Sequence, residues 1–219
     1  MVFADRVDAG RRLATLLSGF RDLAPVVLGL PRGGVVVAAE VARAMGAPLD
    51  VIVVRKLGVP FQPELGMGAI GEEGVRIVAD DLVRRCRVAA ADLAGIEARQ
   101  RTELERQARL FRGDRLRRPL AGRTTILVDD GIATGSTARA ACQVARAHGA
   151  ARVVVAVPVA PPEAAAELNA VADEVVCLFT PRWLGAIGQY YRDFSQTSDE
   201  QVVALLGAER AEPVRERPW

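Results

Sequence analysis

A chain of 219 residues, 50% of them hydrophobic, can bury a sizeable core, which excludes a protein disordered throughout. Its 29 basic and 27 acidic side chains leave a formal charge of +2, too weak a field to make nucleic acid or an anionic membrane the default partner, so a small molecule is expected. The 3 cysteines, Cys86, Cys142 and Cys177, are odd in number and lack C-x-x-C spacing, which points to reduced, buried structural thiols and excludes a disulfide framework.

At the N-terminus Asp5, Arg6 and Asp8 interrupt any apolar run, so no signal peptide is read and a cytoplasmic location is expected. A first helix is predicted over 7–17, packed on the outside. Short β-branched runs then alternate with segments of helical period. That is the pattern of parallel strands joined by crossover helices, and it predicts an α/β fold with a doubly wound, mainly parallel sheet of about five strands. Strands are expected over 26–30, 51–54, 125–128, 153–157 and 175–178. Helices are expected over 35–45, 137–147 and 163–172, with Gly46 and Gly149 at left-handed C-cap positions. The most apolar run, 153–160, stops at Pro161 and Pro162, far short of the ~20 residues a bilayer crossing needs.

Residues 57–122 form an insertion too long for a simple crossover, and such a segment carries function or a subunit contact. Within it, 65–70 and 75–78 flank Glu72-Glu73-Gly74 as a hairpin, and Leu82, Cys86, Ala90, Leu93 and Ile96 recur at helical spacing, which fits one long helix or two shorter ones. From 99 to 118 there are eight arginines against Glu103, Glu105 and Asp114, with Phe111 the one aromatic residue. This reads as a solvated helix face with i,i+4 pairs such as Glu105 and Arg109, and no nucleic-acid surface is expected. Residues 1–208 are expected to make one domain with a small hood at 179–198, and 209–219, rich in charge and proline, a mobile tail.

The chemistry concentrates where the strand 125–128 runs into Asp129 and Asp130, followed by Gly131, Ile132, Ala133, Thr134, Gly135, Ser136 and Thr137 before a helix opens. Backbone N–H groups of such a loop converge on an anion at the positive end of the helix, and the Thr134, Ser136 and Thr137 hydroxyls add donors. An isolated Asp-Asp pair would read as a loop with capping character. Two acids beside an anion loop repel each other and the anion, which makes little sense for stability. They suit a phosphorylated sugar, whose hydroxyls donate to carboxylates while its phosphate sits on the amides. No G-x-G-x-x-G or G-x-x-x-x-G-K-[ST] string occurs, so the dinucleotide and P-loop readings lose their support.

The string Ile126-Leu127-Val128-Asp129-Asp130-Gly131-Ile132-Ala133-Thr134-Gly135-Ser136-Thr137 resembles the phosphoribosyl pyrophosphate (PRPP) motif of type I phosphoribosyltransferases, and the resemblance extends over 25–198. It implies that Asp129 and Asp130 hold the ribose 2′- and 3′-hydroxyls, that Gly131 through Thr137 hold the 5-phosphate, and that Asp129, Asp130 and Lys56 carry the catalysis. It also gives Arg32, Gly33 and Gly34 after the first strand, and Arg55 and Lys56 after the second, to the pyrophosphate. Lys56 is the one lysine in the chain, which suggests a need for a compact ammonium there.

By the same resemblance 58–78 is a flexible loop closing over the site, the plain alternative being a static hairpin. Glu64, Glu72 and Glu73 are candidates to help hold magnesium or receive a proton, and nothing selects among them. Phe179, Arg182 and Trp183 in the hood would meet the acceptor; the plain reading is a satellite aromatic core. His148 reads as a helix-end cap.

The implied activity is transfer of the phosphoribosyl group of PRPP to a small nitrogenous acceptor in nucleotide metabolism, releasing pyrophosphate, with Mg2+ as cofactor and no direct protein ligand to it assigned. Ala133 stands where enzymes for 6-oxopurines carry an acid, which disfavours that acceptor class. The alternative is a PRPP-sensing regulator without transferase activity, although no helix-turn-helix pattern precedes Val26. A sugar-phosphate hydrolase would explain the anion loop but not the paired acids with two basic turns. No membrane contact is expected, and a homodimer is left open.

Overall fold

The computed structural model describes residues 2–113 and 115–208; Asp114 and the expected tail at 209–219 lie outside them. Strands β1 (Val26–Gly29), β2 (Leu49–Val51), β6 (Thr124–Val128), β7 (Arg152–Val159) and β8 (Glu174–Phe179) form a parallel sheet in the order β2-β1-β6-β7-β8. They are rich in valine and leucine because helices cover both faces. Alternate residues divide between two cores. Val27, Ile126, Val128 and Val154 pack with α1 (Arg6–Leu16) and α2 (Gly33–Met45), while Val26, Leu28, Leu127, Val153 and Val155 pack with α5 (Ser136–Ala147) and α6 (Pro162–Leu168). Each such side chain, fully buried, contributes roughly 1.5–3 kcal/mol.

The expected second strand, 51–54, is corrected: β2 ends at Val51 and Val54 opens β3 (Val54–Val59), which belongs to a different sheet. There β3 pairs antiparallel with β4 (Gln62–Gly71), Lys56 facing Ala69, and β4 pairs with β5 (Arg76–Val78). The predicted hairpin is thus the outer half of a three-stranded sheet, its turn made by Glu73 and Gly74 at positive φ. Leu57, Val59, Met67, Ala69 and Ile70 are buried, so this sheet is packed on the body of the protein.

The insertion then makes two helices, α3 (Asp80–Arg85) and the long α4 (Ala90–Arg112). The expected helix 163–172 is also shorter than predicted. It ends at Leu168, where Asn169 caps α6, an asparagine being better suited to a cap than to a helix interior. Helix α7 (Asp199–Ala208) packs on α2 and α4.

Much of the arginine-rich face is solvated as expected, with pairs such as Arg106–Glu103 and Arg109–Glu105. Arg112 departs from that reading. It is buried, donates to both Asp50 oxygens at 2.7 and 2.8 Å, and grips Glu72 through two bonds of 2.9 Å. Of the cysteines only Cys142 is buried, Cys86 and Cys177 being half-buried; all three are free. Among the described residues no helix is long and apolar enough to cross a membrane.

Candidate functional site

The chain leaves β1 through α2 to β2 on one side of the sheet and resumes at β6 on the other, so β1 and β6 lie side by side with their loops diverging. The crevice at the C-terminal ends of such strands is where open α/β sheets bind ligands. Leu30 N–H donates to Val128 C=O at 2.8 Å and Ile132 N–H to Val159 C=O at 2.8 Å, which ties both loops to the sheet.

Asp129 and Asp130 close β6. The amide of Asp130 donates to Asp129 Oδ1 at 2.9 Å, and the first loop packs directly on the pair. A Cβ at Gly34 would lie 2.7 Å from Val128 C=O and 2.9 Å from Asp129 Oδ1, and one at Gly33 only 1.9 Å from Asp130 Oδ2. Gly33 and Gly34, expected to face pyrophosphate, pack against the acids.

Beyond the acids, Gly131 and Ile132 are buried while Ala133, Thr134 and Thr137 are exposed. Gly135, at φ +73°, is the N-cap of α5, and no side chain caps that helix. Its first amides and the Thr134 and Ser136 hydroxyls, 3.1 Å apart, can meet an anion.

The electrostatics of the acids are unequal. Burial of the Asp129 carboxyl, then the charge of Asp130, pushes Asp129 well above the ordinary carboxyl range, against the pull of Arg6. Asp130 is held by that arginine, with Arg6 Nε 2.7 Å from Oδ2. Tyr191 Oη donates to the Asp130 carbonyl at 2.6 Å, and burial raises its phenol so that it stays a donor.

A cavity of about 360 Å³ beside this crevice gathers Pro31, Arg55, Lys56 and Thr137 with Gln100 and Gln107 from α4. Lys56 Nζ stands 3.3 Å from Ser136 Oγ and 3.1 Å from Glu64 Oε2, and Arg55 Nε donates to Gln100 Oε1 at 2.8 Å. Lys56 of β3 thus reaches the loop that opens α5, and Arg55 lines the same cavity. Arg32 does not join them: it is exposed and its Nη1 faces Asp199 of α7 at 3.5 Å.

Of the candidate acids, Glu64 stays beside Lys56, while Glu72 serves Arg112 and Glu73 serves Arg117 at 2.8 Å. His148 caps α5 at its C-terminal end, as expected; burial, then the charge of Arg117, lowers its pKa. Among the described residues no three acidic, histidine or cysteine side chains gather as metal ligands.

The hood divides. Tyr191 sits between Phe3 and Phe194, with ring centroids 5.2 and 4.9 Å away, as a satellite core would have it, and Phe179 leans on Tyr190 at 5.5 Å. Arg182 is exposed, and Trp183 is 90% exposed.

Sequence reasoning missed Arg6, Gln100 and Gln107. Arg6 looks like any polar residue of an amphipathic helix, and its partner is 124 positions away. The two glutamines sit on an insertion helix whose docking side shows only once the sheets are packed.

A family model described as the phosphoribosyl transferase domain matches residues 6–195. Two Mycobacterium tuberculosis proteins (strains CDC 1551 / Oshkosh and ATCC 25618 / H37Rv), each named "Putative phosphoribosyl transferase", are 60% identical over 205 residues. That alignment covers 94% of this chain and 46% of theirs, so the chain spans about half the length of these relatives. A crystal structure of TT1426 from Thermus thermophilus is 48% identical, covers 94% of this chain and 98% of its own, and matches with a TM-score of 0.87.

Proposed function

The chain belongs to the phosphoribosyl transferase domain family, and on that premise we propose that it binds PRPP and transfers its phosphoribosyl group to a nitrogenous acceptor. One observation carries the reading: two adjacent acids, an exposed loop at the start of a helix and a basic cavity meet at one crevice. Each part suits a different part of PRPP. The acids match the ribose diol, the loop from Gly131 to Thr137 the 5-phosphate, and Arg55 and Lys56 the pyrophosphate. A dyad in which Asp129 keeps its proton to higher pH offers a donor as well as acceptors, which suits a diol that both donates and accepts.

In this reading Lys56 and Arg55 stabilise the charge that grows on the departing pyrophosphate, and the loop amides anchor the sugar so that C1 faces the acceptor. The same acids fit a magnesium ion, which binds through one or two carboxylates and substrate phosphates and keeps several waters. When bound, that ion would neutralise charge on the pyrophosphate oxygens.

The test is a screen of purines, pyrimidines and small amines with PRPP and magnesium, scored by pyrophosphate release, alongside calorimetry of PRPP binding. Release with one acceptor class supports the transferase. Tight binding with no turnover of any acceptor would favour a PRPP sensor, and absence of binding would remove the proposal.

A further inference from the structure

We propose that Arg6 is a positioning residue of the sugar site: its guanidinium orients the Asp130 carboxylate for the ribose diol and ties it to the C-terminal segment that carries the hood. The inference rests on the PRPP reading of the same site. Arg6 sits on the first turn of α1, and three contacts from two distant parts of the chain fix it. Its Nε is 2.7 Å from Asp130 Oδ2, its Nη1 donates to the Ser195 carbonyl at 2.8 Å, and its Cζ lies 3.9 Å from the Phe194 ring centroid. The side chain is only 11% exposed.

This arrangement differs from a surface ion pair in what it does to the carboxylate. A carboxylate has about four acceptor positions, and Arg6 takes one of them on Oδ2, leaving Oδ1 for a hydroxyl. A fixed cation also relieves the repulsion between two adjacent acids. Room for the contact is made by Gly33, where a Cβ would come within 2.6 Å of Arg6 Nε as well as colliding with Asp130. The site therefore depends on an arginine for its planar fork: a lysine keeps the charge but cannot donate to Asp130, reach Ser195 and stack on Phe194 at once. Helix α1 does not need the ion pair to stay docked, since its Ala9 and Leu13, and Leu17 that caps it, are fully buried against the body.

Calorimetry of the full chain with PRPP–magnesium, ribose 5-phosphate and pyrophosphate tests this, with Arg6→Ala, Arg6→Lys and Phe194→Leu beside the wild type and thermal unfolding of each. Arg6→Ala should weaken ribose 5-phosphate by about tenfold or more while leaving pyrophosphate unchanged, with partial rescue in Arg6→Lys. Phe194→Leu should give a smaller loss of the same kind. A loss confined to ribose 5-phosphate and partly restored by lysine is the pattern of a positioning residue, whereas a residue with a merely structural role would weaken both ligands together and would not be rescued by charge. Unchanged ribose 5-phosphate affinity, tighter binding, or equal losses for both ligands would overturn the inference alone. A wild type that binds neither PRPP nor ribose 5-phosphate would overturn the PRPP reading and this inference with it.

Discussion

Asp129 shows at the scale of one residue how the proposed ligand site would work against the fold that holds it. Burial and the neighbouring Asp130 raise its pKa well above the ordinary 3.8, so the native state holds this proton more tightly than the unfolded chain does. The sign of the linkage follows. Stability from this group falls as pH rises from the ordinary carboxyl range through the raised native value, and the penalty persists above it. Asp8, Glu97 and Asp173, whose pKa values are lowered by hydrogen bonds and arginines, act in the opposite direction and lose their contribution as pH falls.

Asp129→Asn should therefore leave the unliganded protein more stable than the wild type at pH 8 and little changed at pH 4, while PRPP affinity drops. Thermal unfolding across that range, with calorimetry at neutral pH, checks both halves. A stability difference independent of pH would contradict the burial of this charge. The acids and the loop were legible in the sequence because they are contiguous. Their asymmetry was not, since Arg6 and the Gly33 backbone arrive from elsewhere in the chain.

Among the elements, β3 is the one whose identity changes the reading of the site. Its sequence, Val-Arg-Lys-Leu-Gly-Val, mixes charges and a glycine into what would otherwise be a strand pattern, so the basic pair looked like a turn. A strand holds Lys56 more firmly, and it faces Ser136 and the cavity while Arg32 turns toward Asp199. Lys56→Ala should thus weaken pyrophosphate by ~1.5–3 kcal/mol and ribose 5-phosphate by much less. The loss for Arg32→Ala should be smaller, as expected of an exposed side chain. Competition binding with both ligands decides this; equal effects of the two substitutions would place Arg32 in the site after all.

The long helix α4 was legible from its period, but the burial of Arg112 was not. It stands among seven other arginines of the stretch 99–118 and differs from them only by where Asp50 and Glu72 end up, 62 and 40 positions away. Its truncation leaves the buried Asp50 carboxylate and the half-buried Glu72 without their cation. Arg112→Ala should cost about 3–5 kcal/mol of stability, and Asp50→Asn in the same chain should restore part of it. Urea unfolding of the single and double variants measures the coupling, and an additive result would show that the network is not one unit.

On the scale of the whole molecule the crevice draws on α1, the loop after β1, β3, α4, the loop after β6 and the hood, and the sheet order β2-β1-β6 brings these together. Periodicity predicted that sheet because covered parallel strands must be apolar throughout. It did not predict how the hood would split, since a ring in a satellite core and a ring awaiting a ligand have the same composition.

Trp183 is where that split becomes testable. Tyr190 Oη donates to the Trp183 carbonyl at 3.2 Å, so the backbone is tied while the indole remains 90% exposed after the last strand. A large ring left in water can gain ~1–3 kcal/mol by stacking on a planar base. Ala133, exposed in the loop after β6, offers no carboxylate to a 6-oxopurine. The acceptor should therefore be a planar nitrogenous ring other than hypoxanthine or guanine. With Trp219→Phe as background, so that Trp183 is the one remaining indole, its emission should change when a true acceptor is added to the PRPP complex and stay constant with PRPP alone. Trp183→Ala should then raise KM for the acceptor by roughly tenfold with little change for PRPP, as the loss of one stacked base would. Efficient turnover of hypoxanthine or guanine, or an emission that ignores every acceptor turned over, would refute this assignment and leave the PRPP proposal standing.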